Sequence, residues 1–149
     1  MNLKEELYKQ CEAFIENRFK NIEATINEIQ KALTAETKST AGDKHETGRA
    51  MLQLEREKAG NQLAEAQKIK ETLVKIDITK SSSIVSLGSI VYTSNLNYFI
   101  AISAGELKIE NKIYFAISPS TPIGQLLLGK TVGDLVIFRN QKFIINNII

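Results

Sequence analysis

The residues best placed to do chemistry are two carboxylates, Asp43 and Glu46, in the stretch Ser39 to Arg49, which reads Ser-Thr-Ala-Gly-Asp-Lys-His-Glu-Thr-Gly-Arg. Small, turn-forming pairs, Ala41-Gly42 and Thr47-Gly48, bracket them, so two helices are expected to fold back here and carry both acids at their junction. A spacing of three puts Asp43 and Glu46 on one face of a helical turn, close enough to share a divalent cation, and a loop could also bring them together. Acids at a helix–helix turn are ordinarily solvated caps, however, so spacing alone assigns no metal. His45, between them, could shuttle a proton, but a sole histidine at an exposed turn is more often a solvent-facing filler. Lys38, Lys44, Arg49, Arg56 and Lys58 flank the tip and could meet phosphates. Charges on paired helices are usually their wet face; Lys44 and Arg49 stand out only by lying next to the acids.

The elements that must position this tip are legible on either side. From Leu3 to about Ala35, Leu3, Leu7, Cys11, Phe14, Ile15, Phe19, Ile22, Ile26, Ile29 and Leu33 recur at steps of mostly three and four, with no glycine or proline between. That is a helical stripe of coiled-coil type, about 50 Å long at 1.5 Å per residue, and it needs a partner. Leu52, Ala59, Leu63, Ala66, Leu73 and Ile76 supply one, the single Gly60 being tolerated at modest cost. The stripes should pair antiparallel through the connection from Glu36 to Glu46. Cys11, on the first stripe, reads as a small buried hydrophobe.

Composition changes after Lys75. Glutamate, lysine and alanine give way to short alternating runs of Ile, Val, Phe, Tyr and Ser, with Thr79 to Ser83 as the joint. Two domains are therefore expected: 1–78, a helical hairpin with its tip at 39–49, and 79–149, an antiparallel, strongly curved sheet. Candidate strands are Ile84–Leu87, Ser89–Thr93, Tyr98–Ser103, Lys112–Ser118, Leu135–Phe138 and Phe143–Ile148. One short helix interrupts them: Thr121 can cap it, Pro122 suits its first turn, Ile123, Leu126 and Leu127 should face the sheet, and Gly129 ends it. Tyr92, Tyr98, Phe99, Tyr114 and Phe115 are core candidates. The fold class is α+β.

With 149 residues, 43% of them hydrophobic, the chain can build a packed core. A net charge of +2 is too small for bulk nucleic-acid binding. The single cysteine excludes an intrachain disulfide and a thiolate zinc cluster, and one histidine leaves little for imidazole metal sites. No opening like a signal peptide and no apolar run of membrane-spanning length occurs, so a cytoplasmic protein without membrane contact is expected. A homo-oligomer is compatible with the long first stripe, but nothing in the residues asks for one.

Ser120-Thr-Pro-Ile-Gly-Gln-Leu-Leu-Leu-Gly-Lys-Thr-Val-Gly-Asp134 closely resembles the signature of the bacterial Gre transcript-cleavage factors, Ser-Pro-(Leu/Ile)-Gly-x-x-Leu-Leu-Gly-Lys-x-x-Gly-Asp. Ile76-Asp77-Ile78-Thr79-Lys80 is similar to the joint between that family's coiled coil and its sheet, and Gly42-Asp43-Lys44-His45-Glu46 to its Gly-Asp-x-x-Glu tip. The three lie in the family's order at similar separations, and the resemblance covers roughly Gly42 to Ile149.

The resemblance implies a coiled-coil hairpin that enters the secondary channel of RNA polymerase and an FKBP-like domain, within 79–149, that docks at the channel's rim. It implies that Asp43 and Glu46 help hold a second Mg2+ at the polymerase's own active site, so that backtracked RNA is cut near its 3′ end, with Lys44 and Arg49 as candidate contacts to RNA or polymerase. On that reading the chain is not itself an enzyme and has no cofactor when alone. The sequence departs from the family after Glu46, where Thr47-Gly48-Arg49-Ala50 replaces the usual Asn-Ala-Glu-Tyr, and the first helix is longer than the pattern expects. Those departures would suit a regulator that occupies the channel without promoting cleavage. A coiled-coil adaptor or chaperone reusing the FKBP-like fold is the alternative from another class.

Overall fold

The computed structural model describes the backbone of residues 2–38 and 42–149, and the side chains of these apart from 36–38 and 42–46. Two long helices, α1 (Leu3–Lys38) and α2 (Gly42–Val74), form the N-terminal hairpin, and β1 (Ile90–Thr93), β2 (Asn97–Ile100), β3 (Gly105–Ile109), β4 (Lys112–Ile117), α3 (Pro122–Leu127), β5 (Leu135–Phe138) and β6 (Gln141–Ile148) follow. The chain divides into two compact units, one of Met1–Phe14 with Glu71–Ile149 and the other of Ile15–Lys70.

In the unit Ile15–Lys70 the two helices pair antiparallel. Ile29 and Leu33 of α1 pack with Ala59 of α2, and Ile26 and Leu52 lie against them. Farther along, Lys70 reaches Glu16 at 2.8 Å and lies 5.5 Å from the centre of the Phe19 ring. Burial falls on Ile15, Ile22, Ile29 and Leu33 on one side and on Ala59 and Ala66 on the other, a seven-residue rhythm in which small α2 residues let the α1 side chains come close. Both stripes continue, through Leu7 and Cys11 and through Leu73, into the other unit, where those residues are buried.

The second unit holds one six-stranded sheet in the order β3-β4-β2-β1-β6-β5. Every pairing is antiparallel except β2 with β4, which run parallel with Tyr98 opposite Phe115. An all-antiparallel sheet was expected. The parallel pair arises because β3 inserts between β2 and β4 in sequence but sits outside β4 in space. β3 had no counterpart among the expected strands, and Ile84–Leu87 is not a strand: Ile84 makes an isolated bridge to Thr131. On one face of the sheet Val85, Val91, Tyr98, Ile100, Leu127, Val136, Phe143 and Ile145 form a core, with Ile123 packed against it. Leu127 of α3 is fully buried there, whereas Leu126, expected to face the sheet, is 39% exposed. In the same unit Gln10 Nε2 donates to the Lys108 carbonyl at 3.1 Å.

Candidate functional site

The tip acids fall at the start of α2. The side chains of Asp43, Lys44, His45 and Glu46, and that of Lys38, lie outside the described residues. Thr47 and Gly48 were expected to form a turn after the acids; they are instead helical, inside α2. A glycine in a helix interior costs only about 1 kcal/mol, which a long paired helix absorbs. Arg49 is half-buried, and its Nη1 donates to the Leu33 carbonyl at 3.2 Å, across to α1. Arg56 is half-buried and Lys58 exposed.

The residues of the Ser120–Asp134 run build an interlocked pair of turns around α3. Thr121 caps the helix: its Oγ1 accepts from the Gly124 N–H at 3.1 Å and donates to the Ser118 carbonyl at 2.7 Å, with Pro122 in the first turn. Gly124 is demanded by space, since a Cβ there would lie 2.3 Å from the Ser118 carbonyl oxygen and 3.1 Å from Pro119 Cα. Gly129, at φ +81°, follows the capping residue Leu128 in the left-handed conformation that glycine adopts without a Cβ penalty. Its N–H donates to the Val85 carbonyl, and the Val85 N–H returns to Lys130, both at 2.9 Å. Asp134 Oδ2 accepts from the Thr131 N–H at 2.8 Å and from Thr131 Oγ1 at 3.2 Å, closing the turn that leads into β5. These residue types serve local geometry, Gln125 Nε2 also donating to the Ser120 carbonyl at 3.3 Å, whereas Val132 is exposed.

The joint is built as tightly. Asp77 Oδ1 accepts from Thr79 N–H at 3.0 Å and Thr79 Oγ1 at 2.6 Å. These two bonds hold its carboxyl below the usual range, with Lys80 and Lys4 adding to the effect. Lys4, almost wholly buried, donates from Nζ to the Lys80 carbonyl at 2.8 Å. Burial lowers the Lys4 pKa, and the Asp77 charge offsets part of that. Composition alone gave no sign of this lysine, which sits within the apolar stripe of α1.

Among the described residues no three His, Cys, Asp or Glu side chains come together to hold a metal ion, and no helix is long and apolar enough to cross a membrane. Among solved structures the chain is similar to the crystal structure of GreA factor homolog 1 (Gfh1) protein of Thermus thermophilus. The two are 17% identical with a TM-score of 0.34, over 95% of this chain and 93% of that one. No family model and no curated protein matches the chain.

Proposed function

We propose that this chain is a Gre-type factor that binds RNA polymerase, places the α1–α2 hairpin in the secondary channel and stimulates the polymerase's own cleavage of backtracked RNA. The observation that carries the reading is the ordered trio of tip, joint and signature in one chain, on a helical hairpin followed by a six-stranded sheet. Asp43 and Glu46 are the residues that act. Two carboxylates three residues apart supply hard oxygen donors, which suit Mg2+, an ion that keeps several waters and takes one or two carboxylates beside phosphate oxygens. When bound, such an ion in a two-metal site supplies charge stabilisation for the attacking and leaving oxygens. The pair completes coordination that the polymerase provides for the most part, so the factor alone is inert.

A second reading keeps the partner and drops the cleavage. It is favoured by the residues after Glu46: Thr47 and Gly48 continue α2, and no tyrosine follows to brace the tip. The hairpin would then occupy the channel as a regulator.

One assay separates the two. Purified backtracked complexes are incubated with the parent chain and with the Asp43→Asn, Glu46→Gln double variant. The first reading expects shortened RNA with the parent and none above background with the variant, with polymerase affinity within about twofold. No shortening by a parent that binds tightly supports the second reading. Equal shortening by both proteins removes the carboxylates from the mechanism.

A further inference from the structure

A cleft of about 260 Å³ opens at the joint, lined by Lys4, Lys75 and Lys80, by the hydroxyl-bearing Ser81 and Ser82, and by Asp77, with the Ser86–Ser89 turn closing it. Its charge is unusual for the surface of this unit. Between Lys80 and the C-terminus there are only five basic residues, yet three lysines line this one cleft beside a single aspartate.

The polar groups of the cleft have donors to spare. Asp77 is occupied by Thr79. Lys4 Nζ has three N–H donors and gives one to the Lys80 carbonyl at 2.8 Å. The side-chain ammonium groups of Lys75 and Lys80 have no hydrogen-bond or ion-pair partner among the described residues, although their backbones are bonded within the joint. Ser82 Oγ accepts from the Ile84 N–H at 3.2 Å, which leaves its own O–H to donate. Ser86 and Ser89 hold their turn through the Ser86 N–H on Ser89 Oγ at 3.0 Å. Lys4 is the second, independent sign: an ammonium on a residue only 5% exposed, desolvated and short of acceptors, in the wall of an otherwise open cleft. A buried charge is costly, Asp77 and the Lys80 carbonyl offset only part of that cost at Lys4, and an anion in the cleft would offset more.

We infer that this cleft is a binding site for a phosphoryl group. Three lysines against one aspartate leave two positive charges, which matches the dianion that a phosphate monoester carries near neutral pH. Lysine binds phosphate oxygens as a compact point charge, and only lysines supply the positive charge of the cleft lining. Serine hydroxyls add donors to the remaining oxygens. The volume admits one phosphate with several waters, or a diphosphate. The site is made wholly within the unit Met1–Phe14 with Glu71–Ile149 and is independent of the tip acids.

The test uses the full chain. Amide chemical shifts and thermal unfolding are followed during titration with inorganic phosphate, with ADP, and with nitrate at matched ionic strength. A saturable rise in unfolding temperature with phosphate, accompanied by shifts at Ser81, Ser82 and Gly88 and absent with nitrate, supports the site. ADP binding more tightly than phosphate identifies a nucleotide as the source of the phosphoryl group, and equal affinity identifies the free ion. The Lys75→Met, Lys80→Met double variant, altered only at exposed side chains, should bind at least about tenfold more weakly. Shifts equal in nitrate and phosphate, or unchanged affinity in the double variant, overturn the inference.

Discussion

Replacing Gly124 by alanine should destabilise this protein, although the same change in an ordinary helix stabilises it by about 1 kcal/mol. The added Cβ would lie 2.3 Å from the Ser118 carbonyl oxygen, 2.9 Å from Thr121 Oγ1 and 3.1 Å from Pro119 Cα. Two of these are backbone atoms of the turn entering α3, so no side chain can swing aside and the turn itself must move. Overpacking of that kind costs about 1–3 kcal/mol. The movement also stretches the Gly124 N–H to Thr121 Oγ1 cap, worth about 1 kcal/mol. Set against the helix-propensity gain, the net loss is about 2 kcal/mol, or a fall of about 4–8 °C in melting temperature for a chain of this size. Urea unfolding of the parent, Gly124→Ala, Thr121→Ala and the double variant measures it. Thr121→Ala alone should cost about 1 kcal/mol. The double variant should lose less than the two singles together, because both act on one hydrogen bond. A Gly124→Ala protein as stable as the parent, or more so, would refute the close approach.

Two further outcomes follow from the structure. Cys11 is fully buried, and burial pushes its thiol up to about 12, a backbone hydrogen bond at Ile102 drawing it partly back. The folded state thus keeps a proton that the unfolded chain releases from about pH 9, so this contribution is intact below that pH and is lost as pH rises toward 12. Urea midpoints measured across that window should fall more steeply for the parent than for Cys11→Ala, and equal slopes would contradict the assignment. In the two-residue β3–β4 loop, exposed Glu110 holds φ +56°, a conformation asparagine tolerates better than glutamate. Glu110→Asn should therefore raise stability by about 0.5 kcal/mol in the same assay, and a lower midpoint would count against the loop geometry.

What could be read from the residues was whatever a periodic pattern announces. The α1 stripe was recognisable because Leu7, Cys11, Ile15, Ile22, Ile29 and Leu33 repeat on one face without a breaker, and all are buried. α3 was recognisable from its punctuation, Thr121 and Pro122 before it and Gly129 after. β3 was hidden because its alternation is short and carries Glu106 and Lys108 on an edge of the sheet, with only Leu107 buried. Its one usable signal was the Glu106-Leu107-Lys108-Ile109 alternation before a two-residue loop. Ile84–Leu87 misled for the opposite reason: its residues look like a strand, but Val85 gives its backbone bonds to Lys130 and Gly129. Thr47-Gly48 misled because turn-forming residues are only disfavoured in helices, and a long paired helix overrides them. Lys4 escaped notice since nothing local distinguishes a buried lysine from a solvated one.

Thr121, Pro122, Gly124, Gly129, Thr131 and Asp134 each answer a local geometric demand, so the Ser120–Asp134 run argues for a way of building a turn–helix–turn against this sheet. On the proposed function, activity would rest on Asp43 and Glu46. The two roles come apart in one comparison. If the parent has even about 5 kcal/mol of stability, a loss of about 2 leaves more than about 99% of Gly124→Ala molecules folded at 25 °C. That variant should then stimulate RNA cleavage at nearly the parental rate at 25 °C and fail only on warming, while Asp43→Asn with Glu46→Gln should fail at every temperature. A Gly124→Ala protein that is folded by circular dichroism at 25 °C yet no longer binds polymerase would show that the turn entering α3 itself touches the partner, beyond supporting the fold.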